Sequence, residues 1–540
     1  MQGINKCKFF DKYIAHLISN SIVILLIAQL LPMNYESNDD TAMLLFSSGV
    51  YSGTPDAHLV FINYIYGFLV SSLYRIYSGI EWYTVLFVVI HIVSFSVITW
   101  RLTISKCQNI FKIIFLSFFC LIEIYCISAL QFTTTAAVCA LGSLLLYASG
   151  NKTYTQILSV LLFLLASLIR FEAAFLIFII YSPLIGYHIL QSDSSRKKII
   201  VFLALLVSLP VLAKQIDGCI YDSDEAWKKY REYNLYRGMI NDNLTVLDED
   251  QLPANITESD YWLLGNFFPD TDIFNVEVLK EISEKNKGTT FHDKFYRVVF
   301  NLLIYQYHVC IIIFISFLFF ILLPARGRII LFCSLFLLTM SFIYMSIIGT
   351  LKPRVFVSTI LALCWVLFVL SAMVKVERKT IFSIFIISLL ALFISLSVDI
   401  SKWYNGLKGL NRAFIPAQET LREYVKSRPQ EEIIVPYQSA LRFEIYSPWE
   451  ISKEAQQYKF RCLGWLSTIP LNDGEVDSYL DIIDQKTILI GKNNYRLFIK
   501  NIKESIFNHY AVEIQDNIIF ENELYYLLKL TKKNDANDTI

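Results

Sequence analysis

The chain has 540 residues, of which 55% are hydrophobic and only 17% charged, and its mean hydropathy is +0.49. Soluble domains carry roughly 45–50% apolar and about 25% charged residues, so a string of soluble domains is excluded, as are disordered, fibrous and disulfide-stapled secreted chains. With 47 basic against 47 acidic residues, the chain has no electrostatic footprint for nucleic acid.

Lys6, Lys8 and Lys12 precede an apolar run from Ile14 to Leu31. No small-residue cleavage site follows it, so it reads as an uncleaved first span. Further runs near the roughly 20 residues a bilayer crossing needs lie at Trp82–Trp100, Ile113–Leu130, Thr133–Ser149, Tyr154–Leu168, Phe171–Leu190 and Lys198–Leu212. Four more follow at Val299–Leu323, Arg328–Ile348, Val355–Val374 and Ile381–Val398. Ala57–Ser78 decides the topology. Read as a helix lying in the interface, it puts the loop Arg101–Lys112 and the clusters Arg196–Lys198, Arg326/Arg328 and Lys375/Arg378/Lys379 inside with the N-terminus, as the positive-inside rule asks.

The predicted fold is an α-helical polytopic membrane protein with about eleven transmembrane helices plus juxtamembrane helices. Residues 1–400 form the membrane domain, with outer loops 33–81 and 214–298, and 401–540 form a small extracytoplasmic α/β domain. In that tail Arg412–Ser427 has helical spacing. Glu432–Pro436, Thr487–Ile490, Ala511–Ile514 and Leu524–Leu530 read as strands, and Arg496–Tyr510 as a helix between two of them. The ten cysteines show no CxxC spacing. Cys219 and Cys462 are the two assigned to outer polar regions, and whether they pair is not readable from sequence.

Candidate chemistry gathers at predicted outer span ends. Asp39 and Asp40 follow the first span in ESNDDTAM. Carboxylates there suit a general base for a hydroxyl acceptor, or a metal ligand, while Asp40 also suits a helix N-cap. His58 follows the turn signal Gly53-Thr54-Pro55-Asp56 and suits either a phosphate contact or a structural role. Arg170 and Glu172 sit between two apolar runs with no real loop, where an ionisable residue needs a reason. Arg170 can fork onto a lipid phosphate or pair with Glu172. Lys352 and Arg354 flank Pro353 at an outer end that should be neutral, which points to anion binding or interface anchoring. Gln131 and Thr133–Thr135 mark a tight outer turn, suited to a sugar site or to helix capping.

An acid pair after the first span, a juxtamembrane helix in the first outer loop, a long outer loop, outer basic residues and an outer α/β tail together resemble the GT-C-type integral membrane glycosyltransferases. That superfamily includes the protein O-mannosyltransferases and the lipid A aminoarabinose transferases. Asp39 and Asp40 match the family's catalytic acid pair, with Asp in place of the usual second Glu. GTPDAHLVFINYIYGFL is similar to the segment after that pair, with His58 at its basic position and without its prolines. The resemblance implies an inverting hexosyl or pentosyl transferase in the bacterial cytoplasmic membrane, N-terminus inside and C-terminal domain outside. It would take a polyprenyl-phosphate-linked sugar as donor and a cell-envelope glycan, lipid or protein as acceptor. Asp39 and Asp40 would be catalytic, Arg170, Lys352, Arg354 and His58 would hold donor phosphate, and Gln131 and Glu172 would touch sugar or acceptor. The implied partners include membrane lipids and no nucleic acid. A divalent metal is an optional cofactor in the superfamily. A lipid-linked oligosaccharide polymerase or ligase is the second reading, and a lipid or polysaccharide transporter the third.

Overall fold

The computed structural model describes all residues except 1–3, 149–152, 192–195, 242–246, 248–250, 286–295, 297–298, 300–306, 349–352, 375–378, 437–440, 472–477 and 534–540. Among the described residues, eight helices are long and apolar enough to cross a membrane, and two shorter apolar helices accompany them. The first, α1 (Ile4–Leu30), leaves Ile18, Ile22, Leu25 and Leu26 on the outside of the bundle. Large apolar side chains facing outward suit lipid, where a helix satisfies its own backbone polar groups.

After α1 come a two-residue strand β1 (Asn34–Tyr35), α2 (Asn38–Ser48) and α3 (Tyr64–Ile76). Ser37 is the N-cap of α2, so Asp40 lies in its first turn instead of capping it. The helix stops at Gly49, at φ +79°, where a Cβ would meet the Pro55 nitrogen at 2.5 Å. At 13 residues, α3 is about 20 Å long, too short for a hydrocarbon core of about 30 Å. It turns Phe68, Leu69 and Ile76 outward, as an interfacial helix would.

Helices α4 (Trp82–Ile104) and α5 (Asn109–Ser128) lead to strand β2 (Ala129–Leu130) and α6 (Phe132–Tyr147). Strands β1 and β2 pair in parallel, Tyr35 opposite Leu130. Helix α7 (Thr153–Gln191) has 39 residues with non-helical backbone at Arg170. Phe163 lies 5.7 Å from Phe175 and 5.9 Å from Phe178, centroid to centroid. In a straight helix those pairs would be roughly 18 and 22 Å apart. The two arms therefore fold back on each other, with Arg170 at the turn.

Helix α8 (Arg196–Ser223) runs past the expected end at Leu212 into the polar segment that begins at Lys214. There α9 (Glu225–Asn241), α10 (Glu258–Gly265) and α11 (Val276–Lys285) follow. Three apolar helices come next, α12 (Tyr307–Leu322), α13 (Ala325–Ile348) and α14 (Pro353–Ser371). Then α15 (Lys379–Lys426) continues unbroken for 48 residues through Pro416. The expected boundary at 400/401 lies within this one helix.

The tail is a five-stranded mixed sheet in the order β4-β3-β5-β7-β6, formed by β3 (Ile433–Val435), β4 (Phe460–Cys462), β5 (Thr487–Gly491), β6 (Ile514–Glu521) and β7 (Tyr525–Lys532). The short helix α16 (Ile451–Ala455) precedes β4, and α17 (Tyr495–Tyr510) follows β5. Ala511 sits at φ +53° as the cap of α17, so the strand expected at Ala511–Ile514 begins only at Ile514.

Strand alternation divides the sheet's apolar residues between two cores. Ile434, Ile488, Ile490, Leu528 and Leu530 pack with α17 and with Leu263, Phe268 and Leu279 of the segment between α9 and α12. Ile433, Val435, Leu489 and Leu527 join the core that includes α2 and the membrane helices. The segment that carries α9, α10 and α11 therefore shares a core with the tail. Cys219 and Cys462 are both free thiols.

Candidate active site

α2 lies between the helical bundle and the C-terminal sheet. Asn34 fixes the loop before it, its Nδ2 within 3.1, 3.0 and 3.0 Å of the carbonyls of Glu444, Ile445 and Tyr446. Beyond α2, Trp465 packs on Phe46 at 6.2 Å and on Phe61 at 5.2 Å. A loop carrying charge is thus held rigidly from both sides.

Asp40 is fully buried. Its Oδ1 accepts the Tyr83 hydroxyl and the Phe132 backbone N–H, each at 3.0 Å. Its Oδ2 accepts the Ser37 hydroxyl at 2.9 Å. Burial pushes this carboxyl up to about 8, with the Asp39 charge adding to the rise and the three donors opposing it. When Asp40 is protonated on Oδ2, the bond to Ser37 reverses and the other two remain. Asp40 ties α2 to the start of α6, and no face of it is open to a substrate.

Asp39, one position earlier, is 18% exposed, and its Oδ2 lies 3.5 Å from Arg354 Nη1 at the start of α14. The Arg354 guanidinium sits 5.4 Å from the centroid of the Phe132 ring, and the Arg170 guanidinium 5.5 Å from the same centroid. Two arginines from distant helices therefore meet on one aromatic ring, a contact that attracts cations. Arg170 is held from behind. It donates to the Phe61 carbonyl at 3.3 Å and pairs with Glu172 at 3.1 Å. Glu172 also faces Lys214 at 3.7 Å. The structure thus makes Glu172 a partner of two cations at the turn of α7.

His58 donates through Nδ1 to Asp56 Oδ1 at 2.8 Å. Its ring stacks on Trp227 at 4.3 Å, with Tyr64 and Tyr221 edge-on at 4.8 and 5.0 Å. It is built into the junction of the loop before α3 with α8 and α9. Lys352 lies outside the described residues. Gln131 is the N-cap of α6, with its side-chain oxygen accepting from the Thr134 N–H. Its Nε2, like Thr133 Oγ1, is buried without a partner.

Glu36 completes the cluster and has no counterpart among the residues expected from sequence. Its Oε1 accepts the Tyr125 hydroxyl at 3.1 Å, and its Oε2 is buried without a partner. Burial raises this carboxyl above its ordinary range, with Tyr125 and the nearby Arg354 charge acting against the rise. Its sequence signal was its place in the same acidic stretch, three residues before Asp39. Phe132, Tyr83 and Tyr125 carried no signal, because their roles are purely geometric.

Tyr125 also lines a mostly apolar groove of about 210 Å³ with Ile122, Phe356, Ile360, Leu396 and Trp403, together with the His308–Asp399 pair at 3.2 Å. The groove runs between α5, α12, α14 and α15, two residues from Arg354 along α14. Among the described residues no group of three or more His, Cys, Asp or Glu side chains is placed to hold a metal ion. No family model matches this sequence, and no curated protein or solved structure matches it.

Proposed function

We propose that this chain is a membrane glycosyltransferase that moves a sugar from a polyprenyl-phosphate donor to a hydroxyl of a cell-envelope glycan, lipid or protein on the extracytoplasmic face. The observation that carries the reading is the meeting of Asp39, Arg354 and Arg170 around Phe132. A carboxylate that can take a proton stands beside two fixed cations that can take a phosphate, next to a groove whose wall is apolar except for His308 and Asp399. Counting both arms of α7 and the two shorter apolar helices, we read eleven crossings, with the N-terminus inside and the sheet outside.

In this mechanism Asp39 accepts the proton of the acceptor hydroxyl. The acceptor oxygen bonds to the anomeric carbon with inversion as the bond from that carbon to the phosphate oxygen breaks. The electron pair leaves on the polyprenyl phosphate, whose added charge Arg354 and Arg170 stabilise. A phosphate leaving group needs no general acid. Asp40 acts as a positioning residue, by fixing α2 to Phe132.

The test uses the purified full-length chain in nanodiscs and synthetic polyprenyl-phosphate hexoses, with release of polyprenyl phosphate as the readout. Asp39→Asn lowers turnover by about 10²–10⁴, the range for loss of a general base. Asp40→Asn, whose amide donates to Ser37 as the protonated acid does, retains turnover within about tenfold. Full activity in Asp39→Asn would sink the mechanism.

A further inference from the structure

We propose that the groove between α5, α12, α14 and α15 is the acceptor site, and that the acceptor is a lipid with an uncharged, hydroxylated head. The inference rests on the transferase reading and deepens it, by choosing among the acceptor classes. Leu396, Ile400 and Trp403, with Asp399, recur at three- and four-residue steps, so they share one face of α15, and all four line the groove. Tyr125 of α5 meets Trp403 edge-on at 6.3 Å. The same Tyr125 donates to Glu36 at 3.1 Å, in the short loop that leads to Asp39. Phe356, on the opposite wall, follows Arg354 by half a turn of α14. The groove therefore adjoins the proposed reaction centre through both α5 and α14.

One corner of the groove is polar. Asp399 Oδ2 accepts the Tyr307 hydroxyl at 3.1 Å, and its Oδ1 faces Lys402 at 3.5 Å. His308 Nε2 lies 3.2 Å from Oδ2 but is not aligned for a hydrogen bond, and it is buried without another partner. His308 as a whole is 6% exposed. Buried polar atoms seldom stay unpaired, and a hydroxyl answers this corner because it can both donate and accept. Among the described lining residues Asp399 carries the full charge, and Lys402 beside it offsets that charge. The corner thus has no surplus positive charge for a phosphate, which Arg170 and Arg354 supply on Phe132. The remaining wall is aliphatic and aromatic. Outside it, α12 and α15 expose Phe314, Phe317, Ile387 and Ile394, as helices in hydrocarbon do. A molecule that fits both parts has neutral hydroxyls at one end and hydrocarbon at the other. The volume of about 210 Å³ is below the roughly 300–1,000 Å³ of pockets that enclose a whole small ligand, so the groove takes the head and leaves the chain in the bilayer. A protein segment or a soluble glycan would bring the hydroxyls without the chain.

The experiment takes full-length chain in phosphatidylcholine nanodiscs with a glucosyl-diacylglycerol that bears a photoactivatable diazirine near its head. Light attaches the probe to residues 121–125 and 396–403, the α5 and α15 walls of the groove. Unlabelled glucosyl-diacylglycerol displaces it, whereas its tetra-O-methyl analogue, maltotriose and a Ser/Thr-rich peptide do not. This competition uses wild type alone and so does not depend on a variant's folding. In the same discs glucosyl-diacylglycerol speeds release of polyprenyl phosphate from a polyprenyl-phosphate hexose. Asp399→Leu raises KM for this acceptor about tenfold, as loss of a hydrogen bond to a charged group predicts, and moves the donor KM far less. Equal displacement by the tetra-O-methyl analogue would overturn the inference, because the groove would then be a slot for hydrocarbon only. Release stimulated by maltotriose or the peptide, with no label in the groove, would overturn it and leave the transferase reading intact. Label in the groove without release for any acceptor would overturn the transferase reading, and the acceptor role with it.

Discussion

Asp40 shows how a residue can sit in the right sequence and hold a different role from its neighbour. It is fully buried with three donors, while Asp39 faces Arg354 across 3.5 Å. Because burial raises the Asp40 pKa to about 8 from an ordinary 3.8, folding takes up a proton between those values. The stability this confers is complete below the unfolded value, falls as pH rises, and is gone once pH passes the folded value. Wild type therefore loses thermal stability from pH 5.5 to 8.5 relative to Asp40→Asn, which lacks that titration. Melting curves across that range in nanodiscs check it, and parallel curves would refute the assignment. The arginines give a second expectation at this scale. Arg170 and Arg354 share one ring and, in the proposed mechanism, one phosphate. Arg170→Gln and Arg354→Gln each lower kcat/KM, and the double variant loses less than the product of the two, as partners in one network do. Multiplicative losses would mean that the two cations serve separate ligands.

At the scale of elements, the bundle holds a buried polar contact that no sequence motif announced. His91 of α4 bonds Glu123 of α5 at 2.9 Å and the Thr135 hydroxyl of α6 at 3.1 Å, all buried. Thr135 in turn donates to the Gln131 carbonyl at 2.8 Å, so this contact ends at the turn that carries Phe132. Removing one member leaves the other buried and unpaired, which costs about 1–3 kcal/mol. His91→Leu and Glu123→Leu singly lower the melting temperature sharply, and the double variant recovers much of the loss in a double-mutant cycle. Most elements were legible, because membrane helices announce themselves by apolar runs. Arg170 was visible as a charge between two such runs, and it proved to be the turn of a helical hairpin. The long continuation of α15 was not legible, since the change from apolar to polar residues, with Gly406, Gly409 and Pro416 beyond it, reads as a helix end that the fold does not make. Strand β4 was missed because three residues, Phe460–Cys462, carry too little alternation to read.

On the scale of the whole molecule, the sheet joins two cores, one with α9, α10 and α11 and one with α2 and the bundle. Sequence showed the outer segment and the tail as separate polar regions, because their shared core is assembled from positions far apart in the chain. The same reason hid the site. Asp39 and Arg354 are 315 positions apart, and only the fold makes them neighbours. The central claim is that this junction transfers sugar from a polyprenyl phosphate. The most direct measurement is mass spectrometry of polyprenyl-linked lipids from cells with the intact gene, without it, and with Asp39→Asn. The account predicts that polyprenyl-phosphate monosaccharide accumulates in both altered strains. Accumulated lipid-linked oligosaccharide, or no change in either strain, would contradict it.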